Sequence, residues 1–150
     1  MCCLGRLYII KGNSKDDFRL VRKIKNHSAR AWDVKFSCKN RYLASSSDDK
    51  TVIIRRGYNF TPLKIITHHD VTRELSFSLD EKMIATSCWD MSAYVWSLPR
   101  AEPIVQLKDH MLYVQAALFL PNGHVVTTSA DKTIGVWDLK EGGRIAKLGE

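Results

Sequence analysis

The stretch LFLPNGHVVTTSADKTIGVWD, running from Leu118 to Asp138, is the most legible in the chain. Two short apolar runs flank a Pro121-Asn122-Gly123 turn, and a second turn at Ala130–Lys132 leads into a third run that ends at Trp137. Brief alternating runs separated by Pro, Asn, Gly and Asp read as consecutive antiparallel strands. Stepping back 41 residues finds the same skeleton: Asp90 for Asp131, Ser92 for Thr133, Trp96 for Trp137 and Ile84 for Val125. A second step of 41 gives Asp49, Thr51, Arg55 and Leu43. The chain is therefore three copies of one supersecondary unit, each of which buries its apolar face only against its neighbours.

The outward walk also matches turn for turn. Ser37–Arg41 and Asp48-Asp49-Lys50 punctuate the first unit, Ser78–Lys82 and Trp89–Met91 the second. One histidine precedes each set: His27, His68 and His110, each followed nine residues later by Phe36, Phe77 or Phe119. His110 stands 21 residues before Asp131, against 22 for the other two pairs, so the third unit has lost one residue after Phe119, from the strand that follows.

These residues resemble the WD-repeat β-propeller family. The third unit carries the fullest match; the second has His68, Phe77-Ser78, Ala85-Thr86-Ser87, Asp90 and Val95-Trp96. The first has His27, Phe36-Ser37, Leu43-Ala44-Ser45 and Asp48-Asp49, but Arg55-Arg56 where the family places Trp-Asp. The resemblance covers roughly residues 20–150. It implies an all-β fold: a partial WD-repeat β-propeller of three four-stranded antiparallel blades plus a partial N-terminal blade. Residues 1–25 are expected to end a preceding blade, and 26–150 to form blades at about 26–66, 67–107 and 108–150. Leu4–Lys11 and Leu20–Ile24 fall in the partial blade, and Gly143–Leu148 closes the last. A propeller ring takes about 4–8 blades, so this count fits a truncated product, a fragment or a ring completed by a partner. A chain of three blades is also expected to self-associate.

Composition places the chain among globular proteins, with 45% hydrophobic and 26% charged residues. No apolar run approaches the ~18 residues of a membrane span, and MCCLGRLYII is broken too early by Arg6 for a secretory signal. Cys2, Cys3, Cys38 and Cys88 show no Cys-x-x-Cys spacing, which argues against a disulfide framework or zinc site and for a reducing cytosol or nucleus. Cys2-Cys3 are acceptors for palmitate on chemistry alone, although short apolar strand residues are the commoner explanation. The net charge of +7 is uneven: residues 1–60 hold 14 Lys/Arg and 5 Asp/Glu, a balance of +9, and the rest balance at −2. Arg19, Arg22, Lys23 and Lys25 alternate with Leu20, Val21 and Ile24 on an expected edge strand, where basic residues also block edge-to-edge pairing.

Each unit places a hydroxyl, a histidine and an aspartate at constant spacing: Ser45, His27 and Asp49; Thr86, His68 and Asp90; Thr127, His110 and Asp131. Those types could make a nucleophile, base and orienting acid. The resemblance assigns them instead to a structural hydrogen-bond network with the strand tryptophans Trp96 and Trp137, and threefold repetition fits scaffolding better than a single site. No catalytic residue, cofactor or metal is expected. Arg55 breaks the network in the first unit, and Asp49 in the adjacent turn is its expected partner.

Function is expected on the rim at the channel mouth, a face that binds peptides in this family. Three and five residues past each histidine and one before each aspartate stand Arg30, Trp32 and Asp48; Val71, Arg73 and Trp89; Tyr113, Gln115 and Ala130. Aromatics and arginine are the types enriched at interface hot spots. Trp89 has no packing need in a tight turn, whereas Trp32 could pack inward with Val34 and Phe36. The expected partners are other proteins or peptides, with no membrane; the less favoured reading is an RNA-associated ribonucleoprotein component that uses the basic N-terminal third on nucleic acid. A cullin-ligase adaptor role leans only on Trp137-Asp138-Leu139-Lys140, a motif frequent throughout the family.

Overall fold

The computed structural model describes residues 6–11, 19–140 and 143–149, and all the regular structure among them is β-strand. The expected all-β partial propeller is what it shows. Strands β1 (Arg6–Lys11) and β2 (Arg19–Lys25) pair as a two-stranded sheet. Strands β3 (Ala31–Phe36), β4 (Tyr42–Ser47), β5 (Thr51–Arg56) and β6 (Pro62–Thr67) form the first four-stranded antiparallel sheet in chain order. The second sheet holds β7 (Thr72–Phe77), β8 (Met83–Cys88), β9 (Ser92–Ser97) and β10 (Pro103–Lys108). The third holds β11 (Val114–Phe119), β12 (Val125–Ser129), β13 (Ile134–Asp138) and β14 (Gly143–Leu148). Cys2 and Cys3 lie outside the described residues.

The repeated aspartates explain the repeated turns. Asp49 Oδ1 accepts the Thr51 amide at 3.0 Å, Asp90 Oδ1 the Ser92 amide at 3.1 Å, and Asp131 Oδ1 the Thr133 amide at 2.9 Å. Each is an Asx-type turn in which the side chain stands in for a backbone acceptor. The residue between bends left-handed, at φ 66° for Lys50, 67° for Met91 and 66° for Lys132. The lost residue of the third unit falls where turn meets strand. Ser37 and Ser78 donate their amides five residues ahead, to Tyr42 and Met83, whereas Leu120 reaches only four, to His124. The third hairpin is one residue tighter, and β12 begins one residue later than β4 and β8.

The innermost strands contain Val34, Leu75 and Ala116, as the spacing predicts, and β7 lies beside both β3 and β11. Between the first two sheets Ala44, Val52, Ile54, Ile66, Leu75 and Ile84 form one core cluster. Between the second and third, Ala85, Val95, Leu107, Val114, Val125 and Trp137 form another. β4 and β8 are buried on both faces, and their small residues (Ala44-Ser45-Ser46-Ser47 and Ala85-Thr86-Ser87-Cys88) let neighbouring sheets approach. Buried hydroxyls are tolerated only when bonded, and those bonds set the rim.

A separate clamp joins the first two sheets at the opposite end. Glu81, 3% exposed, accepts the Lys39 amide at 2.7 Å and the Arg41 guanidinium. Burial pushes its carboxyl up, but bonds from Ser37, Lys39 and Arg41 outweigh burial and hold it down at about 2.

Candidate functional site

The rim begins with three backbone bonds. The amides of Asp48, Trp89 and Ala130 donate to the carbonyls of Arg30, Val71 and Tyr113 at 2.9, 3.0 and 3.1 Å. The residue before each turn aspartate is thus fastened to the residue three past each histidine, so these positions share one end of the three sheets. Each innermost strand then bulges: register shifts fall between Ala31 and Asp33, Thr72 and Leu75, and Val114 and Ala116. Trp32, Arg73 and Gln115 sit in the bulges, which aim side chains out of the ladder.

Two buried serines hold the bulges open. Ser46 Oγ accepts the Asp33 amide at 3.2 Å and donates to the Arg73 carbonyl of the next sheet. Ser87, one period on, accepts the Glu74 amide at 2.9 Å and donates to the Gln115 carbonyl at 3.1 Å. Asp33 adds a bond of its own, accepting the Leu75 amide at 3.0 Å.

On this frame the side chains meet. The Arg73 guanidinium lies 3.7 Å from the Trp32 ring centre and 5.7 Å from that of Trp89, while Arg30 lies 5.1 Å from Trp32 on the same rim. Trp89 and Tyr113 pack at 5.3 Å between ring centres and remain 37% and 40% exposed. Trp32 is half-buried and neither packs wholly inward nor stands free, because its indole N–H donates to Asp48. Trp32, Asp33, Arg73, Glu74 and Gln115 line a groove of about 260 Å³. Glu74 in it is held above the usual carboxylate range, first by burial and then by Asp33. Val71 and Ala130 contribute backbone bonds and no rim ring. Asp33, Glu74, Ser46 and Ser87 were not among the expected rim residues; the only trace of the serines is their 41-residue spacing inside apolar strands.

The histidine sets adjoin these same aspartate turns, and no two are alike. In the third, the Trp137 indole N–H donates to Thr127 at 2.8 Å, Thr127 faces His110 Nε2 at 2.7 Å, and His110 Nδ1 faces Asp131 at 3.0 Å. Since a carboxylate only accepts, this order fixes the proton on Nδ1. In the first, His27 bonds Asp49 at 3.1 Å and Ser45 at 2.9 Å, but the chain continues through Asn26. Arg55 donates to Asn26 Oδ1 through Nε at 3.0 Å and Nη2 at 2.8 Å, and to the Phe60 carbonyl at 3.1 Å. The expected Arg55–Asp49 pair is therefore corrected: Asp49 is filled by His27, Ser28 and Thr51, and Asn26 couples the guanidinium to Ser45.

The second set departs further. Trp96 donates to Thr86 at 3.1 Å and Thr86 meets His68 Nε2 at 2.8 Å, but Asp90 does not close the chain. Its second oxygen accepts the Tyr94 hydroxyl, and His68 Nδ1 is buried with no partner. The expected place of Asp90 beside His68 is thereby corrected. Tyr94 occupies the position held by Ile53 and Gly135 in the other sheets, neither of which can donate. At Gly135 a Cβ would come within 2.8 Å of both Thr127 Oγ1 and Trp137 Nε1, so the third sheet keeps glycine there. Burial drives the His68 pKa down to about 4.

Among the described residues, no group of three His, Cys, Asp or Glu is placed to hold a metal ion, and no helix is long and apolar enough to cross a membrane. The family model for the WD domain, G-beta repeat, matches residues 18–55, 60–97 and 101–138. Protein HIR1 of Phaeosphaeria nodorum is 31% identical over 123 residues, covering 76% of this chain and 12% of its own length. Protein hir1 of Schizosaccharomyces pombe is 27% identical over 135 residues, 77% of this chain and 14% of that protein. Protein HIR1 of Eremothecium gossypii is 26% identical over 139 residues, 81% of this chain and 17% of that protein. The chain thus spans less than a fifth of the length of these relatives.

Proposed function

This chain belongs to the WD-repeat family, and from that premise we propose that it is a non-catalytic interaction module whose rim receives a peptide or protein partner within a larger complex. The carrying observation is the contiguous stack of Trp32, Arg73, Trp89 and Tyr113, contributed by three different sheets and left partly open to solvent. Folding alone gives no reason to expose two indoles and a phenol side by side, whereas such residues dominate binding hot spots. The histidine sets support scaffolding: His27, His68 and His110 are all buried, and their hydroxyl partners are occupied by indole or amide donors. Trp137 and Asp138 are likewise engaged, the first with Thr127 and the second with the Lys140 amide, so the Trp-Asp-x-Lys motif offers little free recognition chemistry. Free Cys38 and Cys88 fit a reducing compartment, cytosol or nucleus.

The test compares neighbours. Trp89→Ala should weaken capture of a partner by about 2 kcal/mol or more while leaving the unfolding midpoint nearly unchanged. Asp90→Ala should cost about 1–2 kcal/mol of stability by leaving the Tyr94 hydroxyl proton and the Ser92 amide without their acceptor, with binding per folded molecule retained. Partners are recovered by pull-down with the wild-type chain and then competed with each variant. If Trp89→Ala unfolds the sheet and shows no separate binding defect, the indole is core and the rim reading fails.

A further inference from the structure

The rim holds two arginines that no carboxylate pairs with among the described residues. Among the described residues, neither Arg30 nor Arg73 makes a side-chain hydrogen bond or ion pair; each lies over the Trp32 ring, at 5.1 and 3.7 Å, and Arg73 also lies 5.7 Å from that of Trp89. Arg73 is half-buried, so it is partly stripped of water without compensation. A guanidinium flat on an indole points its N–H edges sideways and leaves its donor fork available to one planar anion. Two nearby carboxylates are committed elsewhere, and the third, Glu74, has its pKa raised by burial and makes no ion pair with either arginine among the described residues. Asp48 accepts from Trp32, and Asp33 accepts the amides of Val34 and Leu75 with Lys35 at 3.8 Å.

We infer that Arg73, assisted by Arg30, anchors the single carboxylate side chain of an extended peptide, with a neighbouring apolar side chain of that peptide against Trp89 and Tyr113. This deepens the rim reading and rests on it. The chemistry selects a carboxylate because Arg presents paired donors that match two coplanar oxygens. A polyphosphate backbone fits less well: the rim sets Asp33, Asp48 and Glu74 against Arg30 and Arg73, a balance that repels a continuous line of negative charge. One carboxylate between two arginines meets no such obstacle. The aromatic pair supplies an adjacent apolar wall, its ring centres 5.3 Å apart.

The probe is a set of biotinylated peptide libraries, each with one fixed central residue and random flanks, offered to the full chain. Libraries fixed at Asp or Glu should be retained at least about tenfold over those fixed at Asn or Gln, the range of one charge-assisted bidentate contact. Arg73→Gln should erase that preference yet keep the choice of apolar residues beside it, and Arg30→Gln should reduce it. Unfolding midpoints taken in parallel separate lost binding from lost fold. Several results overturn the anchor: preference for Lys or Arg, no preference, acidic preference surviving in a folded Arg73→Gln, or no retention over blank resin. A library fixed at phosphoserine retained about tenfold above Asp and Glu, or full competition by a ten-nucleotide thymidylate, assigns the site to phosphate and also overturns it. Retention that depends on Trp89 but ignores charge sinks only this inference. Retention indifferent to Trp89 sinks the rim reading as well.

Discussion

At the scale of single residues, the second sheet carries the one buried polar side-chain atom without a hydrogen-bond partner among the described residues, and it has a pH signature. His68 sits buried with an unbonded Nδ1 because Tyr94 has taken the aspartate that would have met it. Its folded pKa of about 4 lies below the 6.5 of the unfolded chain, so the unfolded state binds the extra proton between those values. Stability on this account is full above pH 6.5 and is lost as pH falls through 4, by on the order of 2–3 kcal/mol in total. Burial shifts His27 in the same direction. Urea midpoints measured from pH 7.5 to 4 should decline accordingly, and His68→Gln should flatten the decline while lowering stability at neutral pH. An unchanged slope in His68→Gln would assign the proton to another group. Neither the flaw nor its cause was legible in the chain. The aspartate recurs on schedule at position 90, and only the side-chain geometry shows that a tyrosine four residues later captures it. The same holds for Arg55, whose partner Asn26 lies 29 residues away in sequence.

At the scale of elements, the strands were readable because their turns are chemically marked. Asp49, Asp90 and Asp131 each bond an amide two residues on, and that requirement repeats with the fold. The bulges that build the rim were not readable, since each depends on a serine in a different strand: Ser46 and Ser87 each bond both their own sheet's inner strand and the next one. Ser87→Ala should therefore act on the rim as well as on stability. Removing the hydroxyl leaves the Glu74 amide and Gln115 carbonyl without it, a loss of about 1–3 kcal/mol, and loosens the bulges at Arg73 and Gln115. Amide exchange at Glu74 is the direct check, with acceleration expected there and little change at the distant Asp131 turn. The Glu81 clamp gives the acidic counterpart. Its pKa of about 2 lies below the 4.5 of a free glutamate, so its contribution is complete above pH 4.5 and disappears as pH falls towards 2. Glu81→Gln should lower the neutral-pH stability by about 1–3 kcal/mol and remove the part of the acid transition between those values. A variant that retains that part would place it on other carboxylates.

For the whole molecule, the period of 41 residues dictated sheets that cover one another, and the third sheet shows what an uncovered face looks like. Leu118 pairs with Val126, Val126 with Val136, and Val136 with Ala146, so one apolar row crosses all four strands, with Ile134 and Leu148 paired beside it. The opposite face of the same sheet carries Ala117, Val125 and Trp137 into the core, which is how strict alternation yields two apolar faces when both are meant to pack. Leu118, Ile134 and Leu148 remain 40, 39 and 58% exposed, and no described residue covers the row. Apolar sheet faces of this kind drive association. These 150 residues in isolation should therefore sediment with an apparent mass that rises with concentration. Leu118→Lys with Ile134→Lys should suppress that rise without lowering the stability by more than about 1 kcal/mol, because both side chains are already well exposed. Rim variants such as Trp89→Ala should leave the association unaltered. A concentration-independent monomer for the wild-type chain would show that the row is tolerated in water; association abolished by Trp89→Ala would instead place self-contact at the rim and require the two surfaces to be reassigned.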